Sequence, residues 1–116
     1  MSGSRMRRVD EAMRQVLGDA LAQDLKDPRV GFVTVTDVKT SPDLRHARVY
    51  VSVLGDASER AATLDGLRSA HGFLQGRIAD ELRLKRTPEL TFELDETPER
   101  AARVERLLAD QETGRS

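Results

Sequence analysis

The side chains able to do chemistry in this chain are cations rather than nucleophiles. Arg5, Arg7, Arg8 and Arg14 stud the first expected helix, and Arg83, Lys85 and Arg86 form the densest basic cluster, with Arg77 about two turns before it. Lys39, Arg45 and Arg48 flank an expected hairpin. A guanidinium binds phosphate through two parallel hydrogen bonds and stays charged at every relevant pH, so this set suits capture of a phosphodiester backbone. Arg7 and Arg14 lie two turns apart and share nearly one side of their helix. Arginines at a helix N-terminus also oppose its dipole, which favours ligand contact over a stabilising role. Against this, Asp10 and Glu11 sit beside them, and cations after a helix end suit the dipole there, so Arg77 and the Arg83 cluster serve a structural reading equally well.

Other chemistries lack their residues. His46 and His71 are the only histidines, and further ligands for a metal are not gathered around either. Neither a nucleophile–base pair nor a phosphate loop of the Walker type is present, and Asp10-Glu11 and Asp80-Glu81 read as solvated helix faces. Absence of cysteine excludes disulfides and thiolate ligands. The expectation is a protein without catalytic activity, metal or cofactor. Tyr50 beside Arg48 and His46 could stack on a base, but one tyrosine in a chain with 3% aromatics reads better as a packing residue. Recognition by shape and phosphate is expected over base readout.

The elements that must position these cations follow from hydrophobic spacing. At 116 residues, 38% hydrophobic and 34% charged, the chain is one domain with one modest core. No apolar run approaches a membrane span and the basic start leads into no signal-type apolar block, so a cytoplasmic protein is expected. The net charge of −1 divides unevenly: residues 1–92 hold 15 Lys+Arg against 13 Asp+Glu, and residues 93–116 hold 4 against 7. A mildly basic body with an acidic tail would orient towards an anionic partner.

Val9, Met13, Val16, Leu17, Ala20 and Leu21 recur at helical spacing, predicting a helix from about Arg5 to Lys26 that Asp27-Pro28 ends. Residues 32–38 are strand-like with apolar or threonine residues on both faces, so the inward face stays open. Thr40-Ser41-Pro42-Asp43 is turn chemistry. Ala47, Val49, Val51 and Val53 then alternate with His46, Arg48, Tyr50 and Ser52, as in a sheet covered on one face only. Ser58 is the expected N-cap of a helix carrying Leu64 and Leu67. That helix breaks at Ala70-His71-Gly72 and resumes with Leu74, Ile78 and Leu82. Thr87-Pro88 opens a third strand with Leu90, Phe92 and Leu94 inward. Thr97-Pro98-Glu99 starts a last helix with Ala101, Val104, Leu107 and Leu108. The organisation is a disordered N-terminus over 1–4, a domain over 5–95, and a C-terminal helix with a flexible acidic tail over 96–116. Helix, strand pair, interrupted helix, strand is the order of a small nucleic-acid-binding module. Glycine at the break would let a backbone come close, or simply re-aim the chain as a cap. On the first reading, Gly72→Ala distorts the break and weakens binding.

Several separated blocks, in order, carry a resemblance: Lys26-Asp27-Pro28-Arg29-Val30-Gly31, Ser41-Pro42-Asp43-Leu44, Ala47-Arg48-Val49-Tyr50-Val51-Ser52, Gly72-Phe73-Leu74, Leu82-Arg83-Leu84-Lys85 and Thr87-Pro88-Glu89-Leu90-Thr91-Phe92. Over about residues 5–95 they resemble the ribosome-binding factor A family. The resemblance implies an α+β, type II KH-like domain, α-β-β-α-kink-α-β, with helices on one face of a three-stranded sheet. It implies that Ala70, His71 and Gly72 replace the usual Gly-x-x-Gly loop at the RNA. It further implies a monomer that binds the free 30S subunit and its 16S rRNA near the 3′ end and neck. There it would support maturation of that RNA, most of all in the cold, alongside an assembly GTPase or other maturation factors. The rivals are a KH-type RNA-binding module without ribosome preference, a protein-interaction domain using the last helix, and an RNA-processing enzyme.

Overall fold

Strict alternation along one strand decides which side of this molecule is covered. In the computed structural model, which describes residues 2–96, β2 (His46–Val53) buries Ala47, Val49, Val51 and Val53 and leaves Arg48 exposed. It is the central strand of a sheet ordered β1-β2-β3, antiparallel to β1 (Val33–Thr40) and parallel to β3 (Glu89–Leu94). A parallel neighbour demands a crossover, supplied here by α2 (Ala57–Ser69) and α3 (His71–Glu81), while α1 (Ser2–Gln23) packs on β1 and α3. Met13 and Leu17 of α1, Leu67 of α2, and Leu74 and Ile78 of α3 meet Val35, Val38, Val49, Val51 and Phe92 in one core. The α+β order expected from the sequence is the one observed.

The face of β1 that pattern left open is settled by a bulge. Val35 pairs with Val51 and Asp37 with Tyr50, so Thr36 is an extra residue that switches the alternation. Val35 and Val38, an odd number of residues apart, are therefore both buried. The Thr36 hydroxyl lies within reach of the Tyr50 carbonyl (3.2 Å) and bonds the Asp95 carboxylate, holding the bulge. Other boundaries shift too. α1 starts ahead of Arg5 and ends before Lys26, because the amides of Asp24 and Leu25 both close on the Ala20 carbonyl. Thr40 belongs to the strand and not to the turn, and Phe32 lies outside β1. Asp56, not Ser58, caps α2: its carboxylate accepts from the Glu59 amide at 2.8 Å while Glu59 accepts from the Asp56 amide at 3.3 Å. Leu94, expected inward, is half-buried. The expected last helix lies outside the described residues.

The loop after α1 is pinned to α2 by one buried polar side chain. Thr63 accepts from the Gly31 amide (3.4 Å) and donates to the Arg29 carbonyl (3.3 Å). Asp27 accepts from the Arg29 amide (2.9 Å) and guanidinium (2.7 Å); that guanidinium holds its carboxyl below the usual range. Gly66 makes the fit possible, since a Cβ there would stand 2.7 Å from Val30 Cγ2 and 3.3 Å from Arg29 Cβ. Gly66→Ala gains about 1 kcal/mol of helix propensity but overpacks a stiff β-branched neighbour, which costs about 1–3 kcal/mol. A net loss of about 1 kcal/mol is expected, read as a lower urea midpoint with unchanged slope.

Candidate nucleic-acid interface

Two backbone contacts bring distant cations to one end of the sheet. The Thr40 amide donates to Asp10 at 2.9 Å, which sets the first half of α1 against the hairpin end of β1. The Glu89 amide donates to the Arg45 carbonyl at 2.9 Å, which brings the start of β3, and the loop leading into it, to the same end. Arg5 and Arg8 therefore face Arg83 across a cleft of about 810 Å³, floored by Val9, Leu82 and Leu84. Arg7, Lys85 and Arg86 are exposed. Among the described residues none of these cations has an ion pair. Glu81 lines the same cleft but reaches Arg77 at 3.4 Å, so the three arginines leave a net positive charge there whose field an entering anion meets.

The remaining cations are placed differently. Arg14 is half-buried and bonded to Glu11, Nε to carboxylate at 2.9 Å, which holds that carboxyl below its ordinary range. Arg77 bonds Asp24 at the end of α1 and reaches Glu81 at 3.4 Å, clamping α3 to α1. Both carry structural partners that a phosphate would have to displace. Lys39, Arg45 and Arg48 stand 3.7, 3.8 and 3.7 Å from Asp37, Asp43 and Glu93. Such long exposed pairs are worth little and leave these cations exchangeable. Lys39 is opposite Arg48 in the β1–β2 register, and Tyr50 opposite Asp37, so the open sheet face is mixed in charge and offers no aromatic platform.

Two expectations need correction. Asp10 is not on a solvated face, being half-buried and holding the Thr40 amide, whereas Glu11 is exposed as expected and bonds Arg14; neither is paired with Arg5, Arg7 or Arg8. The helix break rests on Ala70 rather than Gly72. Ala70, at φ −86 and ψ 8, both ends α2 and begins α3, with its amide shared between the Gly66 and Leu67 carbonyls. Gly72 lies in the first turn of α3 without positive φ, and a Cβ there would meet nothing within 4 Å. Gly72→Ala should thus leave the kink intact and keep or raise the melting temperature, by up to about 1 kcal/mol in stability. Any loss of RNA affinity in that variant then reports close backbone approach and not a distorted helix.

His71 is half-buried, and Phe73, one residue past Gly72, is 44% exposed. Phe73 is not a cation, and only its place off the Leu74–Ile78 stripe marks it in the sequence as outward-facing. An exposed ring beside a bare backbone can stack on a base. The break is at the far end of α3 from the cationic cleft, about 15 Å for a helix of this length.

Among the described residues, no group of three or more histidine or acidic side chains could hold a metal, and no helix is long and apolar enough to cross a membrane. A family model described as ribosome-binding factor A matches residues 5–108. A solution structure of a Thermotoga maritima protein assigned as ribosome-binding factor A is 39% identical, covering 81% of this chain and 91% of its own, with a TM-score of 0.72. The crystal structure of ribosome-binding factor A from Thermus thermophilus is 28% identical, covering 77% of this chain and 94% of its own, with a TM-score of 0.68. A homology model of the Thermus thermophilus factor, fitted into a cryo-electron-microscopy map of a complex of the 30S subunit with ribosome-binding factor A, is also 28% identical, over 72% of this chain and 88% of its own, with a TM-score of 0.61.

Proposed function

Because the chain belongs to the ribosome-binding factor A family, with its KH-like fold, we propose that it docks transiently, as a cytoplasmic monomer, on the free immature 30S subunit. There it holds 16S rRNA in a maturing conformation, so that separate nucleases trim the precursor ends. The need for this is greatest in the cold, where misfolded RNA escapes slowly. The observation that supports this reading is the cluster of cations at the hairpin end that have no ion pair among the described residues, where Arg5, Arg8 and Arg83 flank one cleft. No bond has to be made or broken for this role. A binding protein shifts an RNA equilibrium by its differential affinity for the two conformations. Release then requires completion of the subunit or action of another factor, such as an assembly GTPase.

The backbone would be held chiefly by Arg5, Arg7, Arg8, Arg83, Lys85 and Arg86, with Lys39, Arg45 and Arg48 adding weaker contacts from the sheet. Ala70, His71 and Gly72 offer a second point of approach. Selectivity is assigned to the shape of the subunit, since the chain offers little for base readout. Co-sedimentation with free 30S subunits, with translating ribosomes and with bulk RNA tests this. Binding to free subunits alone is expected. Equal affinity for bulk RNA would leave only a general RNA-binding module.

A further inference from the structure

The stripe of α1 that feeds the core does not stop where the core stops. Met13, Leu17 and Ala20 are buried on it, and the preceding turns carry Ala12, Val9, Arg8 and Arg5 along the same line. Arg5 and Arg8 thus continue a core-facing stripe past the core, into the cleft of about 810 Å³ that they share with Arg83. The opposite wall of that cleft is a tight turn. The Leu82 amide donates to the Ile78 carbonyl at 2.9 Å and closes α3, and the Leu84 amide donates to the Leu82 carbonyl, also at 2.9 Å. This turn keeps Leu82 and Leu84 half-buried against the core and leaves Arg83 exposed between them.

We propose that this cleft is a subsite for one unpaired nucleotide, with the base laid on Val9, Leu82 and Leu84 and the flanking phosphates held by Arg5, Arg8 and Arg83. The inference rests on the RNA-binding role proposed above and names what the cleft reads there. It reads whether a nucleotide is paired, not which base it carries.

Both halves of such a ligand are matched. A phosphate alone has no use for an aliphatic floor, whereas a base has an apolar face to lay on it. The volume lies within the range of about 300–1,000 Å³ that encloses a small organic ligand. A guanidinium plane at the rim can also stack on an extruded base. In a duplex the base faces are already stacked on one another, so a paired segment can touch the arginines but leaves the floor wet. Glu81 lines the cleft as well, and its carboxylate stands 3.4 Å from Arg77, which offsets its repulsion of phosphate. The site is separate from the Ala70 break, which lies at the other end of α3.

RNA hairpins sharing one stem test this with the full-length protein: fully paired, with a single bulged adenosine, and with an abasic residue at the bulge. The abasic form keeps every phosphate and lacks only the base. The adenosine bulge should bind about tenfold more tightly than the abasic one, as covering roughly 50 Å² of apolar surface would give. In methyl spectra the ring current of the base should move Val9, Leu82 and Leu84, while the Nε signals of Arg5 and Arg83 respond to all the hairpins. Ala12 is half-buried and lines the cleft, and glutamine is also a good helix former. Ala12→Gln should therefore fill the floor and abolish the preference, leaving the melting temperature and the affinity for the abasic hairpin unchanged. Equal affinity for the two bulges, still methyl signals while those of the arginines move, or a preference that survives Ala12→Gln would each overturn the inference. If free 30S subunits are still bound, those results leave the proposed function standing; failure to bind subunits and hairpins alike overturns both.

Discussion

Replacing Arg5, Arg8 and Arg83 together by glutamine is expected to weaken binding to free small subunits by about 100-fold at 0.1 M salt. Each phosphate contact on a single strand adds about 0.7 to the slope of log affinity against log salt, so three contacts supply about two decades between 1 M and 0.1 M. The slope should flatten in step with the number of arginines removed, and affinity at 1 M should barely move. These side chains have no ion pair among the described residues and reach into one cleft, so circular dichroism and melting temperature should stay near those of the parent. Arg77→Gln is the matched contrast. It removes a cation bonded to Asp24 and close to Glu81, so stability should fall while the salt slope stays. An unchanged slope in the triple variant would remove this cleft from the interface.

Phe92→Ala is expected to cost about 3–5 kcal/mol, the range for deleting a fully buried aromatic ring. Phe92 is 2% exposed, opposite Val49 on the central strand, and is the largest of the fully buried side chains. Small domains hold only about 5–15 kcal/mol in total, so this variant should melt well below the parent. Urea titration followed by circular dichroism measures the loss. A cost under about 1 kcal/mol would mean that β3 is not held by the core packing described here. The chain's three phenylalanines span the possible range, with Phe92 buried, Phe73 partly exposed and Phe32 almost bare. Composition treats them as one residue type; only the last two are free to meet a partner.

Element order was legible because it depends on local rules. Alternation from Ala47 to Val53 marked one buried face, Asp27-Pro28 marked a helix end, and the Leu74–Ile78 spacing marked the helix after the break. The cap of α2 was misplaced at Ser58: Asp56 precedes Glu59 by three residues, a spacing that outranks the Ser58 hydroxyl because it satisfies two amides at once. The β1 bulge was not legible, since Thr36 is expelled from the ladder by pairing with β2 and by Asp95, far along the chain. The same distance separates what could be known of the site from what could not. Arg77 and Arg83 look alike in a sequence, yet one meets a carboxylate just past the end of α1 and the other opens onto a cleft.

By itself the sequence determined the kinds of charge available, the order of the elements and the family, because residue type, periodicity and local blocks are properties of neighbours along the chain. Which cations are matched by carboxylates, which ring is bare, and which end of the sheet becomes basic were decided only by tertiary structure. Those outcomes depend on strand register and helix packing, which bring together groups such as Arg8 and Arg83 that are far apart along the chain.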